Sequence, residues 1–263
     1  MRRDWEVMAP SRSEMDIVEG ASCVRVIESE SPDCVIHCAA FTEVDKAETE
    51  PEHVMRVNRD GSGNVARAAV LAGAKMVHIS TDYVFDGYKR SPYRADEPVS
   101  PLGVYAISKV AAETAVIEEA SSSIPPLIVR TGWLYGEGRR DFVDMVLDGG
   151  EAGKHLRIVD DQRGRPTWTR NVSEVVLDLI ELETRGTVNV SDGGEATWYE
   201  FARAVLEVAG ISSEVEGVST KSFGAIARRP SYSVLDLATT ELVLNRRMMP
   251  WRKALGLYMS ERS

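Results

Sequence analysis

The chain has no apolar run long enough to span a bilayer, and its start carries no apolar core of the kind a secretory signal needs. It has no basic excess either. Its 41 Asp and Glu outnumber 31 Lys and Arg and leave a formal net charge of −10, which argues against a general nucleic-acid binder and suits solubility. Cysteine is sparse: Cys23, Cys34 and Cys38 form no C-x-x-C pair and no His/Cys set at metal spacing. So few thiols fit a reducing cytoplasm, and all three are expected as small buried residues. The most consequential absence is a glycine-rich turn between a strand and a helix, the device that lets backbone approach a pyrophosphate. Gly61-Ser62-Gly63 lies inside a helical pattern, and Gly149-Gly150 and Gly193-Gly194 lack the strand–turn–helix context. No repeat, low-complexity run or flexible linker is visible.

What is present is an alternation of strand and helix patterns. Trp5 to Ala9 reads as a short strand ending at Pro10-Ser11-Arg12, followed by a helix through Val24 and Ile27 that Pro32 breaks. Cys34 to Ala40 is a continuous apolar run, the signature of a buried parallel strand. A helix starts at Pro51 and runs to about Ala72, where Gly73 stops it. Lys75 to Ser80 and Leu127 to Thr131 read as strands, with an alanine-rich helix from Tyr105 to Ala120 between them. This is the pattern of an α/β, doubly wound parallel Rossmann-type sheet, in which ligands bind at the carboxyl ends of the strands. Past Thr131 the pattern loosens. Leu156 to Val159 and Thr187 to Val190 read as strands, and helices are expected over Val172 to Leu182 and from a Thr197 cap to Ala209, with Gly210 ending the latter. The expected division is a Rossmann-like domain over 1–140 and mainly a smaller lobe over 141–263, some of whose segments return to the sheet. The 263 residues suffice for both.

Tyr105 and Lys109 stand four apart on one helical face. A cation beside a phenol favours the phenolate, so the spacing predicts a lowered Tyr105 pKa and a proton donor or acceptor near neutral pH. The pair alone is a weak signal, since two ordinary surface residues show the same spacing more often than a catalytic pair does.

Several ordered blocks carry more information. They are Cys38-Ala39-Ala40-Phe41-Thr42 with Val44 to Glu48, Ser80-Thr81-Asp82-Tyr83-Val84-Phe85-Asp86-Gly87, Tyr105 to Lys109, Arg130 to Gly136, Asp161 to Thr167, and Ala227-Arg228-Arg229-Pro230. Together they resemble the extended short-chain dehydrogenase/reductases, and within these the dTDP-4-dehydrorhamnose reductase family. The resemblance implies reduction of the 4-keto carbon of dTDP-4-dehydro-6-deoxy-L-mannose by NAD(P)H. Tyr105 would protonate the alkoxide, Lys109 would hold the nicotinamide ribose and lower the Tyr105 pKa, and Thr81 would polarise the ketone. Asp82 would bind a sugar hydroxyl, Trp133 would touch the substrate, and Arg228 and Arg229 would meet the substrate lobe or the diphosphate.

For the cofactor, the resemblance places Ser11 and Arg12 at the adenosine ribose, Asp16 and Ile17 beside adenine, and Ala40, Phe41 and Thr42 at the strand-end turn. A serine and an arginine suit a 2′-phosphate, so NADP is slightly preferred over NAD. The family is also described with homodimers and a bridging magnesium ion, for which no carboxylate cluster can be placed here. Relative to its pattern the chain lacks about one βα unit, the first strand with its glycine turn. Two readings stay open, a natural protein that starts upstream and a genuine remnant, and both imply weak or no NAD(P)H binding by this form. A non-catalytic regulatory subunit resembling that of methionine adenosyltransferase, or a related epimerase or dehydratase, are the alternatives.

Overall fold

A computed structural model describes residues 5–120, 124–138 and 140–262. Helix α1 (Gly20–Glu30) leads into strand β1 (Cys34–His37). Two short helices follow, α2 (Val44–Ala47) and α3 (Pro51–Met55); then a π-helical turn over Arg56–Asp60 passes directly into α4 (Gly61–Leu71). Strand β2 (Lys75–Thr81) ends in a 3-10 turn (Asp82–Val84), and α5 (Val104–Glu119) is the helix that carries Tyr105. Strands β3 (Leu127–Thr131) and β4 (Leu134–Tyr135), helix α6 (Phe142–Glu151) and strands β5 (Leu156–Val159), β6 (Arg163–Gly164) and β7 (Thr167–Trp168) come next. The chain continues through α7 (Thr169–Glu181), β8 (Gly186–Asn189), β9 (Ala196–Thr197), α8 (Trp198–Ala209), β10 (Val215–Val218) and α9 (Thr220–Phe223). It closes with α10 (Ala238–Leu244) and α11 (Trp251–Arg262).

The main sheet has the order β1-β2-β3-β8, and all its pairings are parallel. Alternating side chains split it into two apolar layers. Met76 and Ile128 pack with α1, α4 and α5, whereas Val77, Leu127 and Val129 pack with α7 and with Leu237 and Leu244 around α10. Helices therefore cover both faces, as the strand–helix alternation predicts. Among residues past Thr131, β8 and α7 belong to this sheet. The second core joins α6, α8, α11, β5 and β7 around Tyr135, Phe201 and Trp251. Thr197 caps α8 in a reciprocal box with Glu200, and Gly210 ends it with φ +67°.

Three expectations differ from the structure. Trp5 to Ala9 is not a strand but an exposed segment, with Val7 79% accessible. Its alternation is weak, and an extended segment is fixed only when neighbouring backbone pairs its N–H and C=O groups. Second, the Cys34–Ala40 run forms strand only as far as His37, and it stands at the sheet edge with Ile36 42% exposed. An apolar run sets the strand but not what flanks it. Third, of the cysteines only Cys23 is buried; Cys34 is half-buried and Cys38 exposed, both a consequence of lying on or beside that edge.

Candidate active site

Helix α5 is fastened to the sheet along one face. At its start Glu48 accepts from the Val104 amide at 2.9 Å. A Cβ at Gly103 would fall 2.7 Å from that carboxylate, so glycine is what lets the acidic group reach the helix N-terminus. One turn on, Ser108 donates to the Tyr105 carbonyl at 2.7 Å and accepts from Asn58 Nδ2 at 2.8 Å. Asn58 also brackets Phe41, accepting from its amide at 2.7 Å and donating to its carbonyl at 3.2 Å. It thereby ties the turn after β1 to the tyrosine helix. Further along, Lys109 donates to the Ile79 carbonyl at 2.7 Å. Glu113 accepts from Ser80 at 2.5 Å and takes a two-pronged contact from Arg130 at 3.0 and 2.7 Å. Positions 105, 108, 109 and 113 recur at helical spacing, which is why one face can make all these contacts. Sequence reasoning missed Asn58; the π turn that holds it, a common mark of functional helices, is visible only in the fold.

The reacting groups collect where β2 ends. The Thr81 hydroxyl accepts from the Tyr83 amide at 3.2 Å and donates to Asp82 Oδ1 at 3.2 Å. The Tyr105 phenol bonds with Thr81 and meets the Tyr83 ring edge-on, with centroids 6.2 Å apart. Burial pushes the Tyr105 phenol up to about 12, with Asp82 adding to the rise and the Thr81 hydroxyl opposing it. The spacing argument predicts the reverse. Lys109 does not supply the expected field, because its ammonium is turned inward to the Ile79 carbonyl and to His78 Nε2 at 3.4 Å. That ammonium is itself pushed down to about 8 by burial, opposed by Glu113 and Cys38. Beneath it His37 and His78 lie with rings 5.4 Å apart, and burial holds both far below the usual histidine range.

Asp82, expected at a sugar hydroxyl, is bonded within the protein. It is 3% exposed, and its oxygens are engaged by Thr81 and by Ser233 at 2.5 Å. Trp133 is likewise a core aromatic here: its ring stacks on Trp198 at 3.6 Å, and a Cβ at Gly164 would fall 2.2 Å from its indole nitrogen. Its own φ of +53°, rare for a bulky residue, is held by this packing. Arg229 grips Asp45 at 3.0 and 2.8 Å and bonds Tyr83, joining the late loop to α2, whereas Arg228 is exposed.

Of the residues placed near a cofactor, Ser11 and Arg12 lie exposed in a turn, with Arg12 3.9 Å from Asp16. Ile17 packs against Gly61 as part of the core, because its backbone is held by Asn64 at 2.9 Å and its side chain turns inward. Ala40 and Phe41 are half-buried and Thr42 exposed at the end of the β1 turn. The nicotinamide end of a dinucleotide fits this rim: an ammonium has three N–H donors, and Lys109 has two partners. Among the described residues no strand–glycine turn–helix unit exists to cradle a pyrophosphate.

The family described as the RmlD substrate binding domain matches residues 1–263. The chain is 34% identical over 264 residues to dTDP-4-dehydrorhamnose reductase of Sinorhizobium fredii, covering 96% of this chain and 88% of that one. The chain belongs to the dTDP-4-dehydrorhamnose reductase family. It is 38% identical over 259 residues to the spore coat polysaccharide biosynthesis protein SpsK of Bacillus subtilis, covering 98% of this chain and 90% of that one. The reductase of Bacillus anthracis, solved in complex with NADP, superposes with a TM-score of 0.92 at 36% identity, over 95% of this chain and 88% of that one. The family is one of nicotinamide-dependent oxidoreductases with a Rossmann-like fold. No helix among the described residues is long and apolar enough to cross a membrane.

Proposed function

We propose that this chain reduces the C4 ketone of dTDP-4-dehydro-6-deoxy-L-mannose to dTDP-L-rhamnose in the cytoplasm, with NADPH preferred over NADH. The observation that carries the reading is the convergence of Thr81, Tyr105 and Lys109 at the end of β2 in a member of this family. When bound, the cofactor supplies a hydride to the ketone carbon. Thr81 hydrogen-bonds the ketone oxygen and draws charge toward it. Tyr105 then gives its proton to that oxygen. Its raised pKa suits this task, because a phenol that stays protonated at neutral pH is the donor form, and an alkoxide is basic enough to take the proton. Lys109 holds the nicotinamide ribose with its remaining N–H, and Ala40, Phe41 and Thr42 line the same end. Arg12, whose side chain is 79% exposed, is free to meet a 2′-phosphate, and Ser11 stands next to it. Among the described residues no cluster of His, Cys, Asp or Glu could hold a metal ion.

The test is turnover of the purified chain with the 4-keto sugar nucleotide, followed by loss of reduced-nicotinamide absorbance and by chromatography of the product. The expected result is stoichiometric dTDP-L-rhamnose and a higher kcat/KM with NADPH than with NADH. Loss of the NADPH preference after Arg12→Ala would assign Arg12. Equal use of both cofactors by the unaltered chain would remove that assignment.

A further inference from the structure

Asp82 is the most deeply committed carboxyl in the site. It is buried, and Gly132 is what makes room for it: a Cβ there would stand 2.2 Å from Oδ1 and 2.7 Å from Oδ2. Its two oxygens face two different hydroxyls. Oδ1 lies 3.2 Å from Thr81 Oγ1, and Oδ2 lies 2.5 Å from Ser233 Oγ, which comes from a segment 151 residues away. Ser233 is itself 2% exposed, and its backbone is fixed: its amide donates to the Arg163 carbonyl of β6 at 2.8 Å, and the neighbouring Val234 carbonyl accepts from the Tyr93 amide at 2.8 Å. A segment late in the chain therefore reaches the strand-end carboxyl through this hydroxyl.

We propose that Ser233 is a positioning residue for the reduction, acting through Asp82 on Thr81. A hydroxyl has a single proton, and Ser233 gives its proton to Oδ2. An acid proton on Asp82 is then confined to Oδ1, where it donates to Thr81 Oγ1. Thr81 already accepts from the Tyr83 amide. With both its acceptor sites filled, its own proton is left for the neighbouring Tyr105 phenol oxygen and, with substrate bound, for the ketone oxygen. Donors then run in one direction, Ser233 to Asp82 to Thr81 to substrate, and stabilise the negative charge that develops there. In the ionised form the middle link reverses, Thr81 donates to Asp82, and its proton is withdrawn from the ketone. Burial, opposed by the Ser233 and Thr81 hydroxyls, raises Asp82 to about 7, so the acid form is populated under ordinary conditions. The other titratable and charged groups facing this carboxyl are Tyr105 of α5, Tyr83 of the 3-10 turn and, through Tyr83, Arg229 of the late loop.

The inference rests on the reductase reading, and two measurements separate them. In the first, kcat is followed against pH. The unaltered chain loses kcat as pH rises through the Asp82 titration. Ser233→Ala removes a donor that favours the ionised form, so this limb moves up by about one pH unit. The kcat plateau falls about five- to tenfold, with KM for the sugar nucleotide within twofold. Ser233→Cys, of similar size but a weaker donor, falls between and covers the case in which the alanine variant does not fold. An unmoved limb, or a loss confined to KM, overturns the proposal. In the second, the Asp82 side-chain carbon is titrated by NMR in the ligand-free chain. Ser233→Ala and Thr81→Val each raise its midpoint; an unmoved midpoint in either overturns the proposal whatever the turnover. Moved midpoints together with an unaltered chain that never turns over would overturn the reductase reading and leave the hydroxyl–carboxyl linkage standing.

Discussion

The strand-end layer of the main sheet and the second, aromatic core are both dry but built from opposite materials. In the first, Thr81, Asp82, Ser108, Lys109, Glu113 and Arg130 are all buried. In the second, Tyr135, Trp168, Phe201, Trp251 and Tyr258 interlock, and Phe142 and Trp198 pack on them from outside. Burying charge is costly and burying rings is favourable, so the two layers act in opposite directions on stability. The polar layer exists because each group finds a partner, as Glu113 finds Ser80 and Arg130. Its reward is chemistry rather than stability: Asp82 and Tyr105 are displaced upward and Lys109 downward by the same dryness.

The sharpest way to break this contrast is Tyr105→Phe. It removes one hydroxyl and leaves the packing, so kcat is expected to fall about a thousandfold, roughly 4 kcal/mol of barrier, with the KM for NADPH unchanged. Turnover near that of the unaltered chain would remove Tyr105 from the mechanism. Next in size is Arg130→Met, which leaves Glu113 charged and buried without its main partner. Urea unfolding should show a loss of about 3–5 kcal/mol, and adding Glu113→Leu should recover most of it. A loss under about 1 kcal/mol would mean that the layer is not held by paired charge. Phe201→Leu probes the other side. Phe201 is fully buried, so the substitution should cost about 1–2 kcal/mol of unfolding free energy while kcat stays within twofold. A large fall in kcat would show that the two layers are not separable.

The smallest expected effect on stability runs the other way. Lys109→Met should abolish turnover yet stabilise the fold by about 1 kcal/mol at neutral pH. The sign follows from the proton balance. Lys109 is about 8 in the folded chain against 10.5 in the unfolded one, so between these values the unfolded state holds a proton that the native state lacks. Stability therefore rises with pH across that window, and the penalty is complete below its lower end. The gain from Lys109→Met should be constant below about pH 8 and fade above it. Thermal midpoints of both chains across this range check it, and a gain that grows with pH would refute the assignment.

Much of this was legible residue by residue. Tyr105 and Lys109 share a helix face through their spacing alone, Thr197 and Gly210 bound α8 as their cap chemistry dictates, and the run Leu127 to Thr131 could only be a covered strand. Illegible were the directions of side chains whose partners are distant in sequence. Nothing local says that Lys109 turns to Ile79 instead of Tyr105, that Ile17 fills the space beside Gly61, or that Trp133 lies against Trp198. Asn58 looked like any polar helical residue until the π turn aimed it at Phe41 and Ser108.

By itself the sequence determined the periodicities, and with them the parallel sheet, its two covering layers and the rim where polar strand ends meet the tyrosine helix. These follow from short-range rules of backbone geometry and apolar spacing. Only the tertiary structure decided which of the polar groups would be dry, and therefore which protons each would keep. Desolvation depends on everything packed around a group, and at Asp82 that includes a glycine 50 residues on and a serine 151 residues on.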